Sequence, residues 1–321
     1  EAAIARGRAR LAAGADIFIH SMKPGSAESR GLGSDALRAA NPRLVYCALS
    51  AFGQTGPMRG LPGYDPLMQA FTGIMSVTGN EGDAPVRVSV SLIDMGSGMW
   101  AAMGILAALR EVERTGRGMV VGTSLLETGV GWMTVFVANH RASGELPRKM
   151  GSAMAMAAPY QLFRAKDGWV FIAAGNDRLF AQVCKGLGVP ELASDERFRT
   201  NADRVRNRAE LRRLLEERTG SLDAQDTVER LQASGAPCSV MNDVQQMLAS
   251  EQVASVGNVQ EVAIAPQGQH KGGGLPFTLD GVRTVEHQAP PALGEHTDAV
   301  LADCGYTTAD IAALRDSGVV A

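Results

Sequence analysis

The chain has 321 residues, 45% hydrophobic and 20% charged, enough for two domains around well-buried cores. Its net charge of −3 gives no electrostatic case for nucleic acid or for an anionic membrane surface. Cys47, Cys184, Cys238 and Cys304 share no metal-type or CxxC spacing, and the histidines form no HxxxH or HExxH pair. No metal is expected, and thiols point to a reducing compartment, the cytoplasm by default.

In chain order, residues 1–12 read as an amphipathic helix and "ADIFIH" (15–20) as a short buried strand. The chain opens at Glu1 inside that helical pattern, so further sequence upstream is expected. "GSDALRAANP" predicts a capped helix stopped by Pro42, and "RLVYCAL" (43–49) the next strand. That rhythm argues for a parallel α/β sheet. The Gly/Pro-rich loop "SAFGQTGPMRGLPGYDP" follows a strand end, where ligands sit in such sheets. "PLMQAFTGIMSVTG" reads as helical. In "VSVSLIDMGSGMWAAMGILAALR", Ser91 to Ile93 read as the end of a strand or loop. A buried helix is expected over 99–109, too short for a bilayer and ended by Arg110.

A strand at 119–123 and a long apolar helix over 124–140 complete a large domain, residues 1–139. Residues 141–158 read as linker and loop, and 160–175 as a hairpin around Lys166-Asp167-Gly168. With helices over 176–187, 201–217 and 223–234, they make a smaller α+β domain, residues 140–235. Residues 236–321 comprise a strand and helix, a strand-rich part over 255–289 and two short terminal helices. They are expected to return to the large domain.

Asp94 is a lone carboxylate at the mouth of the apolar helix, followed by Gly96, Ser97 and Gly98. One reading makes it a helix N-cap, favoured by free N–H groups and the helix dipole. The other makes it a nucleophile that attacks an acyl carbon, its glycine neighbours leaving room and exposing N–H groups to an oxyanion. The local sequence does not choose. "GRGMVVG" (116–122) lacks the third glycine of a dinucleotide fingerprint and precedes a strand rather than a helix. No GxSxG elbow is present.

Several stretches together resemble the family III CoA-transferases, the group around formyl-CoA transferase and carnitine CoA-transferase. They include "ADIFIHSMKPG", "LGSDALRAANPRLVYCALSAFGQTGP", "GYDPLMQAFTGIMSVTG", "SLIDMGSGMWAAMGILAAL", "APYQLFRAKDGWVFIAAGND" and "LGEHTDAVLADCGY", collinear from about residue 8 onward. The resemblance implies a Rossmann-like large domain, a smaller α+β domain and an interlocked homodimer. It implies acyl-CoA and a small carboxylic acid as substrates and no permanently bound cofactor. Asp94 matches the family's nucleophile, which forms an acyl anhydride and then a CoA thioester. Tyr64 matches a tyrosine beside the thioester, and Asp65 the acidic residue after it.

Ser21, Met22 and Lys23 stand where the family's CoA groove has an Asn-Phe-Arg-like run, with only the Pro24-Gly25 turn retained. Arg30 is similar to an arginine that reaches a phosphate. Gly151 is kept from a glycine-rich flap, with Met154 and Met156 in place of its other residues. Three functions stay open: a CoA-transferase, a 2-methylacyl-CoA racemase-type isomerase, or a non-catalytic CoA-binding member.

Overall fold

The computed structural model describes residues 12–264, 268–284 and 291–320. The helix expected over 1–12 lies outside them except for Ala12, as do residues 265–267 and 285–289 of the strand-rich part. The chain divides into two units, residues 1–151 with 292–321, and residues 152–291.

The first unit holds a three-stranded parallel sheet in the order β1-β2-β3. Strand β1 is Ile17–His20; helix α1, Ser34–Ala40, carries the chain to β2, Val45–Ser50. Helix α2 (Asp65–Phe71) and the long α3 (Leu92–Thr115) intervene before β3, Val120–Ser124. The register pairs Ile17 with Val45 and Tyr46 with Val120. Strand β2 is central, and Val45, Tyr46 and Cys47 are buried, as a continuous apolar run between two neighbours requires. Helices α4 (Leu125–Trp132) and α5 (Thr134–Ser143) follow, where one helix over 124–140 was expected; the break falls at Met133. Ser124 caps α4 by accepting from the N–H of Glu127.

The apolar helix is longer than its sequence pattern predicts. It starts at Leu92, not Met99, and runs 24 residues to Thr115, so Asp94 lies inside its first turn. It is long and apolar enough to cross a membrane. It packs instead on β2 and β3 and against α2 and α4, the position of a core helix in an α/β layer. Gly116 ends it in the left-handed region, and Gly118 follows where a Cβ would lie 1.9 Å from the Leu44 carbonyl oxygen. Backbone approach, not phosphate binding, accounts for "GRG".

The second unit holds an antiparallel sheet, order β4-β5-β6, made by Tyr160–Arg164, Trp169–Ala173 and Cys238–Val240. Helices α6 (Asp177–Leu187), α7 (Asn201–Arg206), α8 (Arg208–Thr219) and α9 (Ala224–Ala233) cover its core of Phe163, Val170, Ile172, Phe180, Leu211 and Leu231. A second hairpin pairs β7, Val259–Ile264, with β8, Gly268–Gly273. The boundaries differ from those read in sequence, 139/140 and 235/236. Strand β6 pairs with β5, which binds the chain after residue 235 to the smaller unit, and the return begins at residue 292. Two short helices, α10 (Thr297–Asp303) and α11 (Thr308–Asp316), close the chain.

Candidate active site

The carboxyl ends of all three parallel strands open into one groove of about 600 Å³ in the first unit. Ser21, Met22 and Lys23 line it beyond β1, Leu49 to Ala51 at the end of β2, and Leu125 after β3. The Gly/Pro-rich loop supplies Arg59 and Tyr64, and Asp94 completes the lining. This is the crevice in which open parallel sheets bind ligands. Of the residues singled out in sequence, Ser21, Met22, Lys23, Tyr64 and Asp94 are brought together here.

Asp94 does not cap its helix. Of the four N–H groups that begin α3, Leu92 donates to the Val90 carbonyl at 2.7 Å and Met95 to Ser91 at 3.0 Å. The other two, on Ile93 and Asp94, both donate to Oδ2 of Asp65, at 2.7 and 3.2 Å. The orphan donors of the helix start are therefore satisfied without the Asp94 side chain. Among the described residues the Asp94 carboxylate has no hydrogen-bond partner; it is exposed, on the wall of the groove. Its proton affinity is raised above that of an ordinary aspartate, first by partial burial and then by the negative charge of Asp65.

Asp65, expected among the substrate contacts, lies beneath the groove instead, 2% exposed at the start of α2. Its Oδ1 accepts from Gln69 Nε2 at 2.6 Å. Gln69, fully buried, also holds Val88 through both its backbone groups, at 2.8 and 3.0 Å. The preceding residue, Tyr64, faces the other way and is 71% exposed.

The glycines after Asp94 also have a structural cause. A Cβ on Gly96 would come within 2.8 Å of the Trp132 ring and 2.9 Å of Thr128, so the small residue lets α3 and α4 touch. Ser97, fully buried, bonds Thr128 Oγ1 at 2.7 Å across that contact. Only Gly98 stands in open space. The expected N–H groups for an oxyanion are thus not offered by the start of this helix.

Arg30 and Gly151 do not line the groove. The Arg30 guanidinium turns back on its own turn, donating to the Ser26 carbonyl at 2.8 Å and closely to the Ser26 hydroxyl. Gly151 packs on the 79–80 turn at positive φ, where a Cβ would lie 2.6 Å from Asn80 Oδ1.

Two residues escaped the sequence reading. Arg59 adds a second cation to the groove beside Lys23; a lone arginine in a Gly/Pro-rich loop after a strand was its signal. His20 fixes the groove lip, its Nδ1 accepting from the Met22 N–H at 3.1 Å while Nε2 meets the Tyr46 hydroxyl at 2.8 Å. That hydroxyl donates onward to the Leu32 carbonyl at 3.1 Å, so the ring is held as the neutral Nε2–H tautomer. Burial lowers its proton affinity, with Glu28 opposing.

An exposed carboxylate at the strand ends of an α/β unit, in a groove that also holds two cations, suits chemistry on an anionic, carbonyl-bearing ligand. The comparisons narrow the class. The CoA-transferase family III profile matches residues 6–297, and the chain belongs to that family. It is 33% identical over 311 residues to a human succinyl-CoA:glutarate CoA-transferase, covering 97% of this chain and 71% of the relative. It is 31% identical over 294 residues to a succinate–glutarate CoA-transferase of Agrobacterium fabrum, covering 92% of this chain and 74% of the relative. A crystal structure of a CAIB/BAIF family protein from Brucella suis superposes with a TM-score of 0.80 at 36% identity, covering 94% of this chain and 78% of that one. The protein is a family III CoA-transferase, an enzyme class that moves CoA between acyl-CoA and carboxylic acids.

Proposed function

We propose that this chain transfers CoA between succinyl-CoA and a short dicarboxylic acid, through covalent intermediates on Asp94. The observation that carries the reading is the Asp94 carboxylate itself. It stands in the groove with both oxygens unpaired among the described residues, while another carboxylate holds its helix. The dicarboxylates come from the human succinyl-CoA:glutarate and the Agrobacterium succinate–glutarate CoA-transferases that this chain resembles. Lys23 and Arg59 support them, offering positive charge to the phosphates of CoA or to a second carboxylate.

An Asp94 oxygen attacks the succinyl carbonyl carbon and the C–S bond breaks, leaving a mixed anhydride and CoA thiolate. The thiolate then attacks the Asp94 carbonyl carbon and succinate departs, leaving an aspartyl-CoA thioester. The acceptor carboxylate displaces the thiolate from that thioester to make a second anhydride. Thiolate attack on the acceptor's acyl carbon releases the new acyl-CoA and returns Asp94 as a carboxylate. Tyr64 lines the thioester site, its hydroxyl available as a donor.

The reading extends to a homodimer in the cytoplasm. An apolar stripe along α3 supports the dimer: Met95, Met99, Trp100, Met103 and Leu106 are 44–65% exposed. The buried thiols Cys47 and Cys184 suit a reducing compartment. The test is exchange of ¹³C-labelled glutarate into CoA thioester from succinyl-CoA, followed by mass spectrometry. Hydroxylamine added during turnover is expected to label Asp94, and Asp94→Ala to lower exchange at least ~10³-fold while staying folded. A folded Asp94→Ala enzyme working near the parent rate overturns the reading. So does Asp94-dependent deuteration at the α-carbon of a 2-methylacyl-CoA in heavy water without CoA exchange, which would mark an isomerase.

A further inference from the structure

We propose that Asp65 is a positioning residue for the reaction: by taking the two N–H groups that open α3, its buried side chain keeps the Asp94 carboxylate off its own helix end and turned to the substrate. The proposal rests on the reading of Asp94 as the nucleophile.

An aspartate in the first turn of a helix is ordinarily drawn to the free N–H groups there, and those donors and the dipole both hold it as an anion. A carboxylate so engaged is a poor nucleophile, because its lone pairs are already shared. In this chain the helix start is closed from outside. Asp65 reaches from α2 and occupies the N–H groups of Ile93 and Asp94 with one oxygen, while Gln69 fixes the other. Gln69 is itself locked by two bonds to Val88, so the acceptor cannot swing away without breaking a buried network. Two carboxylates therefore divide one task. The buried one satisfies the backbone, and the exposed one keeps its lone pairs for the acyl carbon.

The same arrangement places a fixed negative charge behind Asp94, on the side away from the groove. Partial burial makes the Asp94 oxygens more basic, in the direction that strengthens a nucleophile, and that charge acts the same way. Few groups oppose it. Lys23 and Arg59 lie along the groove, and Tyr64 borders it. From α4 the carboxylate of Glu127 is engaged with the Ser124 hydroxyl at 2.6 Å. Strand β2 contributes only the buried Tyr46 and Cys47, and β3 no titratable side chain. Asp65 is the ionic group bonded directly to the Asp94 backbone.

The deciding experiment follows the ¹³Cγ titration of Asp94 by NMR in aspartate-labelled protein, the resonance assigned by its loss in Asp94→Asn. Asp65→Asn keeps an acceptor for the two N–H groups but removes the charge. Its Asp94 titration, and the acidic limb of the exchange rate, are expected to move to lower pH. Asp65→Glu keeps the charge while displacing the acceptor. It is expected to leave the titration near the parent's and to slow exchange about 100-fold, the cost of a misplacement of roughly 1 Å.

An Asp65→Asn protein whose Asp94 titrates as in the parent overturns the proposal. Hydroxylamine labelling of Asp94 in the parent then still stands for the nucleophile, so the two failures are told apart. Absence of that label in the parent sinks both. If Asp65→Asn does not fold, Asp65→Glu decides: full exchange with Asp94 titrating like an isolated surface aspartate overturns the proposal.

Discussion

The two units solve the problem of a buried polar group in opposite ways. In the smaller unit the buried charge is Arg204, which is 0% exposed and has every guanidinium nitrogen engaged. It donates to the carbonyls of Ala158 and Phe198 at 2.7 and 2.9 Å and to Asp177 at 2.8 Å, and lies 4.5 Å over the Phe180 ring. Asn201 and Arg208 hold the same loop at Met156 and Met154, so the end of the segment read as linker and loop is stitched to α7 and α8. In the larger unit the buried charged group among the described residues is Asp65, and its satisfaction leaves a second carboxylate unsatisfied in a groove. A buried guanidinium with every nitrogen paired builds a frame; a network that ends in a free acceptor builds a reactive site.

The largest expected effect on that comparison comes from Arg204→Leu. It strips donors from two carbonyls in a closed core and leaves Asp177 without its cation, a loss of about 2–4 kcal/mol of stability. Because the chain has two units, hydrogen exchange should resolve where the loss falls. Amides of 170–187 should lose protection while those of 44–50 keep theirs. Equal loss in both would show that the frame is not confined to the smaller unit.

A somewhat smaller effect is expected from the α3 stripe, where the larger unit differs most from the closed core of its neighbour. Met95, Met99, Met103 and Leu106 recur at helical spacing and are all exposed, whereas the smaller unit buries Val183, Cys184 and Leu187 on its corresponding amphipathic helix. If a second copy covers the stripe, Met99→Glu should raise the dimer dissociation constant at least about tenfold, roughly 1.4 kcal/mol. Sedimentation equilibrium reads it. A parent protein that is monomeric at micromolar concentration would remove the dimer from the proposed function.

Much of this was legible in the sequence, for reasons that differ by residue. Strands β1 to β5 announce themselves as short apolar runs between turn residues, and the order of elements gave the parallel sheet. Asp94 stood out because a lone carboxylate beside an apolar run is chemically conspicuous. What stayed hidden was whatever needs two distant segments. The Asp65–Ile93 bond spans 28 positions, and Arg204 meets Ala158 across 46, so neither burial could be read from periodicity. The start of α3 was misplaced for the same reason: Ser91 shows no side-chain capping bond, and the true cap comes from another helix. The glycines after Asp94 looked like room for a ligand, but Gly96 is space for Trp132.

The smallest predicted effect probes the free carboxylate itself. Partial burial and the charge of Asp65 raise the proton affinity of Asp94 in the folded chain. The folded state then binds more protons than the unfolded state near the ordinary carboxylate range, so stability falls as pH rises through the folded titration. That deficit is fully present at neutral pH and absent below about 3.9, the unfolded value, where both states are protonated. Asp94→Asn removes the charge, so the variant should melt slightly higher than the parent at pH 7, and the two should converge on acidification. The difference is small because the side chain is exposed and solvent screens it. An Arg204 variant should show the reverse ordering, losing stability at every pH at which the protein folds. Thermal melts of the parent and Asp94→Asn between pH 4 and 8 suffice to test the point. An advantage that grows toward low pH would mean that Asp94 is held as an anion after all.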